Sequence, residues 1–341
     1  MTKLITSEPN IRYFSGFTGS VGIFIVMDKG SLLIVDGRYS QQARAEVKKA
    51  IEIIEAPLNS TLLDTAMNYL KGKKISDIGY EDDKMDVASF NKLKEKFPKS
   101  KFYSISKELR DARMIKQQNE IEIIRKAALI SDLAYDCVIR IIKPGMMELE
   151  ISAHIDYLIK IFKGNGPAFE TLVSSGKLSA YPHGKPTDKK VKTGELIVMD
   201  FGARYKGYNS DITRMVSLGN PSKKALKTYN AVLRAQESAI EKIKDGIKAA
   251  EVDKAARDVL KKEKLEKYFR HGTGHGIGLQ VHEGPRVSSS SKDILKEGMV
   301  ITVEPGVYLP GVGGFRIEDM VLVKKGGFEV LTKSPKKLEI L

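Results

Sequence analysis

Tryptophan is absent, and the 341 residues include a single cysteine, Cys137. One thiol cannot form an internal disulfide, so a packed core has to hold the chain, as suits a reducing compartment. Cys137 falls among Ile and Val at helical spacing, which marks a packed thiol and not a nucleophile. Long apolar runs are also missing. None approaches the ~20 residues that cross a bilayer, and Met1-Thr2-Lys3-Leu4-Ile5 has no apolar core behind it of the kind that marks a secretory signal. What remains is a chain that is 42% hydrophobic and 29% charged, the balance of a globular protein. It is long enough for two ordinary domains, and the expected setting is cytoplasmic, with no membrane partner.

A net charge of +14 is the one feature that suggests a nucleic-acid partner. The lysines, however, are scattered beside glutamates on helix faces, as in Lys261-Lys262-Glu263-Lys264. No aromatic residues alternate with basic ones to build a stacking platform. The reading is a solvated surface and no nucleic acid.

Residues 1–108 alternate short apolar runs with turn signals. Val21–Val26 and Ser31–Val35 read as strands around a turn at Asp28-Lys29-Gly30. Tyr39–Lys49, Leu62–Leu70 and Val87–Phe97 read as helices, and Lys74–Gly79 and Phe102–Ile105 as short strands. This segment holds no histidine, and no chemistry is expected there. Polar Lys107–Gln117 lacks clear periodicity and is taken as the junction. Residues 109–341 open with a long helix whose apolar face runs through Ile121, Ile124, Ala128, Ala134 and Val138, stopped by Lys143-Pro144-Gly145. A second helix, Glu148–Phe162, precedes strands. Further helices follow over Ser222–Lys244 and Val252–Lys264, and then more strands. The order suggests two similar halves and an α+β fold.

The acids carry the chemistry. In ELIVMDFGARYKGYNSDITR the apolar run Leu196–Met199 delivers Asp200, and the chain returns to Asp211. A hairpin would set both carboxylates on one sheet face. Taken alone, this is equally an ordinary surface hairpin with two solvated acids. Four of five histidines lie beyond residue 180. His271-Gly272-Thr273-Gly274-His275-Gly276 crowds two imidazoles among glycines; a phosphate loop is the competing reading, but no GK[ST] ending follows. Val300–Val303 ends in Glu304-Pro305-Gly306, and Gly313–Asp319 sets Arg316 and Glu318 on one strand face, with Asp319 on the other. Three apolar strands thus each carry an acid that a core would reject. Oxygen-rich sites with one imidazole suit Mn, Co, Fe or Zn, and four carboxylates with one histidine exceed the needs of a single ion.

These segments, with HGTGHGIGLQVHEGP, VITVEPGVY, GGFRIED and Ser179-Ala180-Tyr181-Pro182-His183-Gly184, resemble the "pita-bread" metallopeptidases: prolidase, aminopeptidase P and methionine aminopeptidase. NIRYFSGFTGSVG and VDGRYSQQA resemble the N-terminal domain of the prolidase and aminopeptidase P branch. The resemblance implies a smaller creatinase-type α/β domain ahead of a pita-bread catalytic domain. It implies two divalent ions, Mn or Co first and Zn or Fe as alternatives, held by Asp200, Asp211, His275, Glu304 and Glu318. Asp211 and Glu318 would bridge, and Glu304 would also carry the proton of the bridging hydroxide. His183 and His282 would orient the scissile carbonyl and steady the tetrahedral intermediate, Arg316 would brace the site, and Thr213 would bond a ligand carboxylate. Arg286 in VHEGPR matches the prolidase version, in which a guanidinium takes the free carboxylate of an Xaa-Pro dipeptide. The implied enzyme is a homodimeric Xaa-Pro dipeptidase. An Xaa-Pro aminopeptidase acting on longer peptides and a non-catalytic binding protein of the same fold are the alternatives. Two departures stand out. Met215 occupies a place where the family often has a small polar residue, so bonding around the ligands is expected to change. The family's usual first helix, ahead of NIRYFSG, is expected to be missing or very short.

Overall fold

The computed structural model describes all 341 residues, which form two compact units, Met1–Arg113 and Met114–Leu341. The polar stretch read as a junction contains a helix, Ser106–Met114. Leu109 is its only buried apolar side chain, too little to make a readable stripe.

The first unit is one six-stranded sheet in the order Ile51–Glu55, Ser31–Val35, Ile23–Val26, Thr2–Ile5, Asp77–Tyr80, Lys101–Ser104. Its strands alternate strictly between two cores. Leu4, Ile25, Leu32 and Ile34 pack with Ala66, Met67 and Leu70 on one face. Ile5, Phe24, Leu33 and Val35 pack with Ile11, Phe17 and Ala43 on the other. A sheet covered on both faces needs this doubled apolar pattern. Thr61 and Asp86 accept the backbone N–H of Asp64 and Ser89 and so start the helices Leu62–Leu70 and Val87–Lys96, as capping residues do. NIRYFS itself lies within a helix, Glu8–Ser15, and the strand Thr2–Ile5 precedes it.

The second unit contains two helix-pair-on-sheet arrangements. Gln118–Val138 and Glu148–Ile161 share an apolar core with the strands Leu196–Phe201 and Ile212–Ser217, which lie in a sheet with Leu172–Ser175 and Glu339–Ile340. Lys223–Ile240 and Ala249–Lys262 share a core with a five-stranded sheet in the order Glu283–Val287, Gly274–Gly276, Val300–Val303, Asp319–Lys324, Gly327–Val330. The single strand expected over Phe315–Val323 is broken. Gly313–Arg316 pairs with Gly306–Leu309, and Asp319–Lys324 pairs with Val300–Val303, which leaves Ile317 and Glu318 between two sheets.

The hairpin expected between the first two acids is also more elaborate. Leu196–Phe201 and Ile212–Ser217 pair antiparallel with Asp200 opposite Thr213, and a second small hairpin, Ala203–Tyr205 with Tyr208–Asn209, projects from their end. Gly202 makes the join possible: a Cβ there would lie 1.9 Å from the carbonyl oxygen of Ser210. Backbone at that distance cannot yield as a side chain would. We therefore expect Gly202→Ala to lower stability by about 1–3 kcal/mol, read as the urea midpoint at constant m-value. An unchanged midpoint would mean that this join is not as tight as described.

Candidate metal centre

Each candidate ligand is placed by a different piece of backbone. Asp200 is the fifth residue of Leu196–Phe201, after four buried apolar residues. Asp211 lies two residues before Thr213 on the returning strand and is 4% exposed. His275 is the middle residue of Gly274–Gly276, and glycine on both sides is a steric requirement. A Cβ at 274 would lie 2.0 Å from the Thr302 carbonyl oxygen, and one at 276 would lie 1.9 Å from that of Gly284. Glu304 follows Val300–Val303 and donates its backbone N–H to Thr273 O at 2.7 Å. Glu318 occupies the break between the two sheets.

These pieces converge. One oxygen of Asp211, one ring nitrogen of His275 and one oxygen of Glu318 all lie within 4.8 Å of one another. The Nδ1–H of His275 donates to Gly276 O at 3.0 Å, so Nε2 faces the acids, 3.7 Å from Asp211 Oδ2 and 3.3 Å from Glu304 Oε1. Thr302 Oγ1 accepts the His275 backbone N–H at 3.1 Å and donates to Glu304 Oε1 at 3.2 Å. Thr213 Oγ1 donates to Glu318 Oε2 at 2.8 Å and accepts from Arg316 Nε at 3.1 Å. Buried Arg316 also donates to Asp200 Oδ2, to Tyr308 Oη at 2.6 Å and to Pro182 O at 3.1 Å. As alternation required, Arg316 and Glu318 share a side, while Asp319 turns away to pair with Arg214 at 2.6 Å.

The electrostatics are those of a cluster built around positive charge. Asp211 Oδ1 and Glu318 Oε1 are buried and have no hydrogen-bond partner. Each such orphan costs about 1–3 kcal/mol, more when charged. Two like charges about 5 Å apart add repulsion of roughly 3 kcal/mol at an effective dielectric near 20. Burial first, then neighbouring carboxylates, hold Asp211 and Glu318 well above the usual carboxylate range. Burial also raises Asp200, against the Arg316 charge. Glu304 goes the other way: burial opposes ionisation, but the hydrogen bond and charge of His275 outweigh it and bring the group down to about 2. His275 is raised because Glu304 overcomes its burial. Two unsatisfied oxygens of opposed acids beside an imidazole fit a divalent cation, and a buried amide or hydroxyl would satisfy them less well. Asp211, His275 and Glu318 could hold one ion directly, and Asp200 and Glu304 supply further carboxylates in the same coupled cluster.

The other expected residues lie at the rim. His183 and Arg286 are exposed, and the His282 ring meets the His275 ring edge-on at 4.3 Å between centroids. Burial of its inner edge and the His275 charge lower the His282 pKa. Arg286 pairs with His275 across the antiparallel ladder, and directly opposed residues project from the same sheet face. Met215 does not enter the centre. It packs in the apolar cluster with Leu196, Val198 and Phe315. Tyr308 was missed: its hydroxyl accepts from Arg316 and donates to His271 Nε2 at 3.1 Å. The only sequence signal was its position four residues after Glu304.

The chain belongs to metallopeptidase family M24: residues 122–325 match "Metallopeptidase family M24", and residues 2–115 match "Creatinase/Prolidase N-terminal domain". It is 39% identical over 337 residues to the protein named "Xaa-Pro dipeptidase" of Pyrococcus horikoshii, covering 98% of this chain and 93% of that one. Among solved structures, it is similar to an "Xaa-Pro dipeptidase from Bacillus anthracis", with TM-score 0.95 and 38% identity, covering 100% of this chain and 95% of that one. It is similar as well to an "X-Pro aminopeptidase from Thermotoga maritima", with TM-score 0.92 and 38% identity, covering 100% and 97%. The pita-bread fold with a creatinase-type first domain is therefore as expected.

The raised acids give a pH test. In a chain stripped of divalent ions, folded Asp211 and Glu318 keep protons that the unfolded chain releases above about pH 4. Their stabilisation is thus present at low pH and lost as pH rises through the raised values. Glu304 contributes in the opposite window, above its ordinary value, and that contribution fades as pH falls towards about 2. In EDTA, Tm should fall between about pH 5 and pH 8, and saturating Mn²⁺ should raise it most at the upper end, because ions compete with protons for these ligands. A pH-independent Tm in EDTA, or a larger Mn²⁺ effect at the acid end, contradicts this picture.

Proposed function

We infer that the protein is an Xaa-Pro dipeptidase in which Asp200, Asp211, His275, Glu304 and Glu318 would hold two divalent ions. The observation that carries the reading is the pair of unsatisfied buried oxygens on Asp211 and Glu318, aimed into a cluster that already contains the imidazole. Bound there, two such ions would supply an activated water at neutral pH; Mn or Co suits the carboxylate-rich donor set.

The protein's own groups do the rest. Ionised Glu304 takes up the proton released by the attacking water and returns it to the departing proline nitrogen. His183 and His282 orient the scissile carbonyl and donate to the oxygen that gains charge. Arg316 and Thr213 hold Asp200 and Glu318 in place through the bonds already described. Arg286, on the His275 face of its sheet, takes the substrate's C-terminal carboxylate. Proline's tertiary amide and fixed ring call for such dedicated recognition. A cytoplasmic homodimer is part of the same reading.

Likeness to both a dipeptidase and an aminopeptidase leaves Arg286 to separate the two readings. With Mn²⁺, Leu-Pro should be cleaved at a higher kcat/KM than Leu-Pro-Pro. Arg286→Ala should cut kcat/KM for Leu-Pro roughly 10- to 100-fold, the worth of a charge-assisted hydrogen bond, and spare the tripeptide. Preference for the tripeptide in the parent enzyme would favour the aminopeptidase reading. Binding of Mn²⁺ with no cleavage of either peptide would favour a binding protein.

A further inference from the structure

Glu148 is fully buried, yet it contacts none of the groups assigned to the reaction. It is the first residue of the helix Glu148–Ile161, where an acid could serve merely to meet the helix dipole. That task falls to Glu150, whose carboxylate accepts the Met147 N–H at 2.6 Å. The Glu148 carboxylate faces two other pieces of chain. One oxygen accepts the backbone N–H and the hydroxyl of Ser175, both at 2.7 Å. The other accepts the N–H of Thr187 at 3.2 Å and its hydroxyl at 2.7 Å.

Ser175 ends the strand Leu172–Ser175, which pairs with the Asp200 strand. Thr187 lies where the chain comes back. Between them runs the segment 176–186, which contains His183. Lys189 strengthens the same base, bonding Ser175 Oγ at 2.6 Å and Glu195 at 2.7 Å. The middle of the segment rests on the strand Gly313–Arg316: Ser179 Oγ accepts the Gly314 N–H at 2.8 Å, and Pro182 O accepts from Arg316 at 3.1 Å. The tip, with Tyr181, His183 and Lys185, is exposed. One buried carboxylate therefore joins both ends of the loop, alongside the backbone bonds from Leu149 N–H to Thr187 O and from Glu148 N–H to Lys189 O, both at 3.1 Å, and the crown of the loop touches the guanidinium bound to Asp200.

We propose that Glu148 is a positioning residue that clamps the two ends of the 176–187 loop and thereby sets where His183 stands at the rim of the metal centre. For catalysis this rests on the dipeptidase reading; for loop order it does not. Removing the carboxylate takes away the side-chain bonds at both loop ends, leaves the backbone bond from Leu149 N–H to Thr187 O at 3.1 Å, and touches no candidate metal ligand. His183 would then be misplaced by the small distances that cost up to about 100-fold in rate.

The test compares the parent chain with Glu148→Gln, Thr187→Val, His183→Ala and the Glu148→Gln/His183→Ala double variant. Thr187→Val removes the bond to Glu148 Oε2 and the one its hydroxyl accepts from the Lys189 N–H at 3.2 Å, and serves if Glu148→Gln fails to fold. Hydrogen exchange by mass spectrometry should show protection lost in peptides covering 176–187 and retained in Leu196–Phe201 and Ile212–Ser217. Mn²⁺ affinity by calorimetry should stay within about threefold of the parent, while kcat/KM on Leu-Pro falls about 10- to 100-fold. In the His183→Ala background the Glu148 change should cost little more, because both act through one imidazole. Protection lost throughout residues 114–341, Mn²⁺ affinity falling along with kcat/KM, or losses that multiply in the double variant would overturn the proposal. If the parent cleaves no Xaa-Pro peptide, the dipeptidase reading fails and the exchange data alone decide the clamp.

Discussion

Four carboxylates and one imidazole drawn into a buried cluster set the terms for the second unit. Burial and mutual repulsion both penalise their ionised forms. Arg316 is spent on Asp200, and His275, when protonated, on Glu304. Asp211 and Glu318 are left with unsatisfied oxygens. A chain selected for stability alone would replace such acids with apolar residues of similar volume. Their presence beside a histidine whose Nε2 faces the acids is the physical basis for assigning a site for positive ions.

The fold carries this cost by setting the acids at the ends of strands that are buried and mostly apolar. Leu196–Met199 and Val300–Val303 are buried along their length. Behind Glu318 a second charged network, Arg214 with Asp319, Gln236 and Lys336, is internally paired. Arg214 also donates to the carbonyls of Thr213 and Glu318, tying together two backbones that bear the cluster. Fully partnered polar networks rigidify where half-partnered ones destabilise; among buried carboxylate oxygens, only those of Asp211 and Glu318 lack a partner.

Much of this was legible in the sequence because the signals were local. Short apolar runs between turn signals marked the strands, apolar periodicity and Pro or Gly stops marked the helices, and acids ending apolar runs marked Asp200 and Glu304, while the returning hairpin, strand alternation and flanking glycines singled out Asp211, Glu318 and His275. What escaped depended on contacts distant in the chain. Glu148 reads as an ordinary first-turn acid until Ser175 and Thr187 fold onto it. Tyr308 reads as a strand aromatic until Arg316 arrives. The break at Ile317–Glu318 is invisible because its flanks both look like strand and pair with different partners.

Neither unit's sheet order nor any single motif distinguishes an enzyme from a binding protein of the same fold; the cluster does. Anomalous X-ray diffraction at the manganese edge, from crystals grown with Mn²⁺, tests it most directly. The account expects two peaks per chain, both within ligand distance of Asp211 and Glu318, with His275 Nε2 on one of them. No peak there, or a single ion held elsewhere, would contradict it.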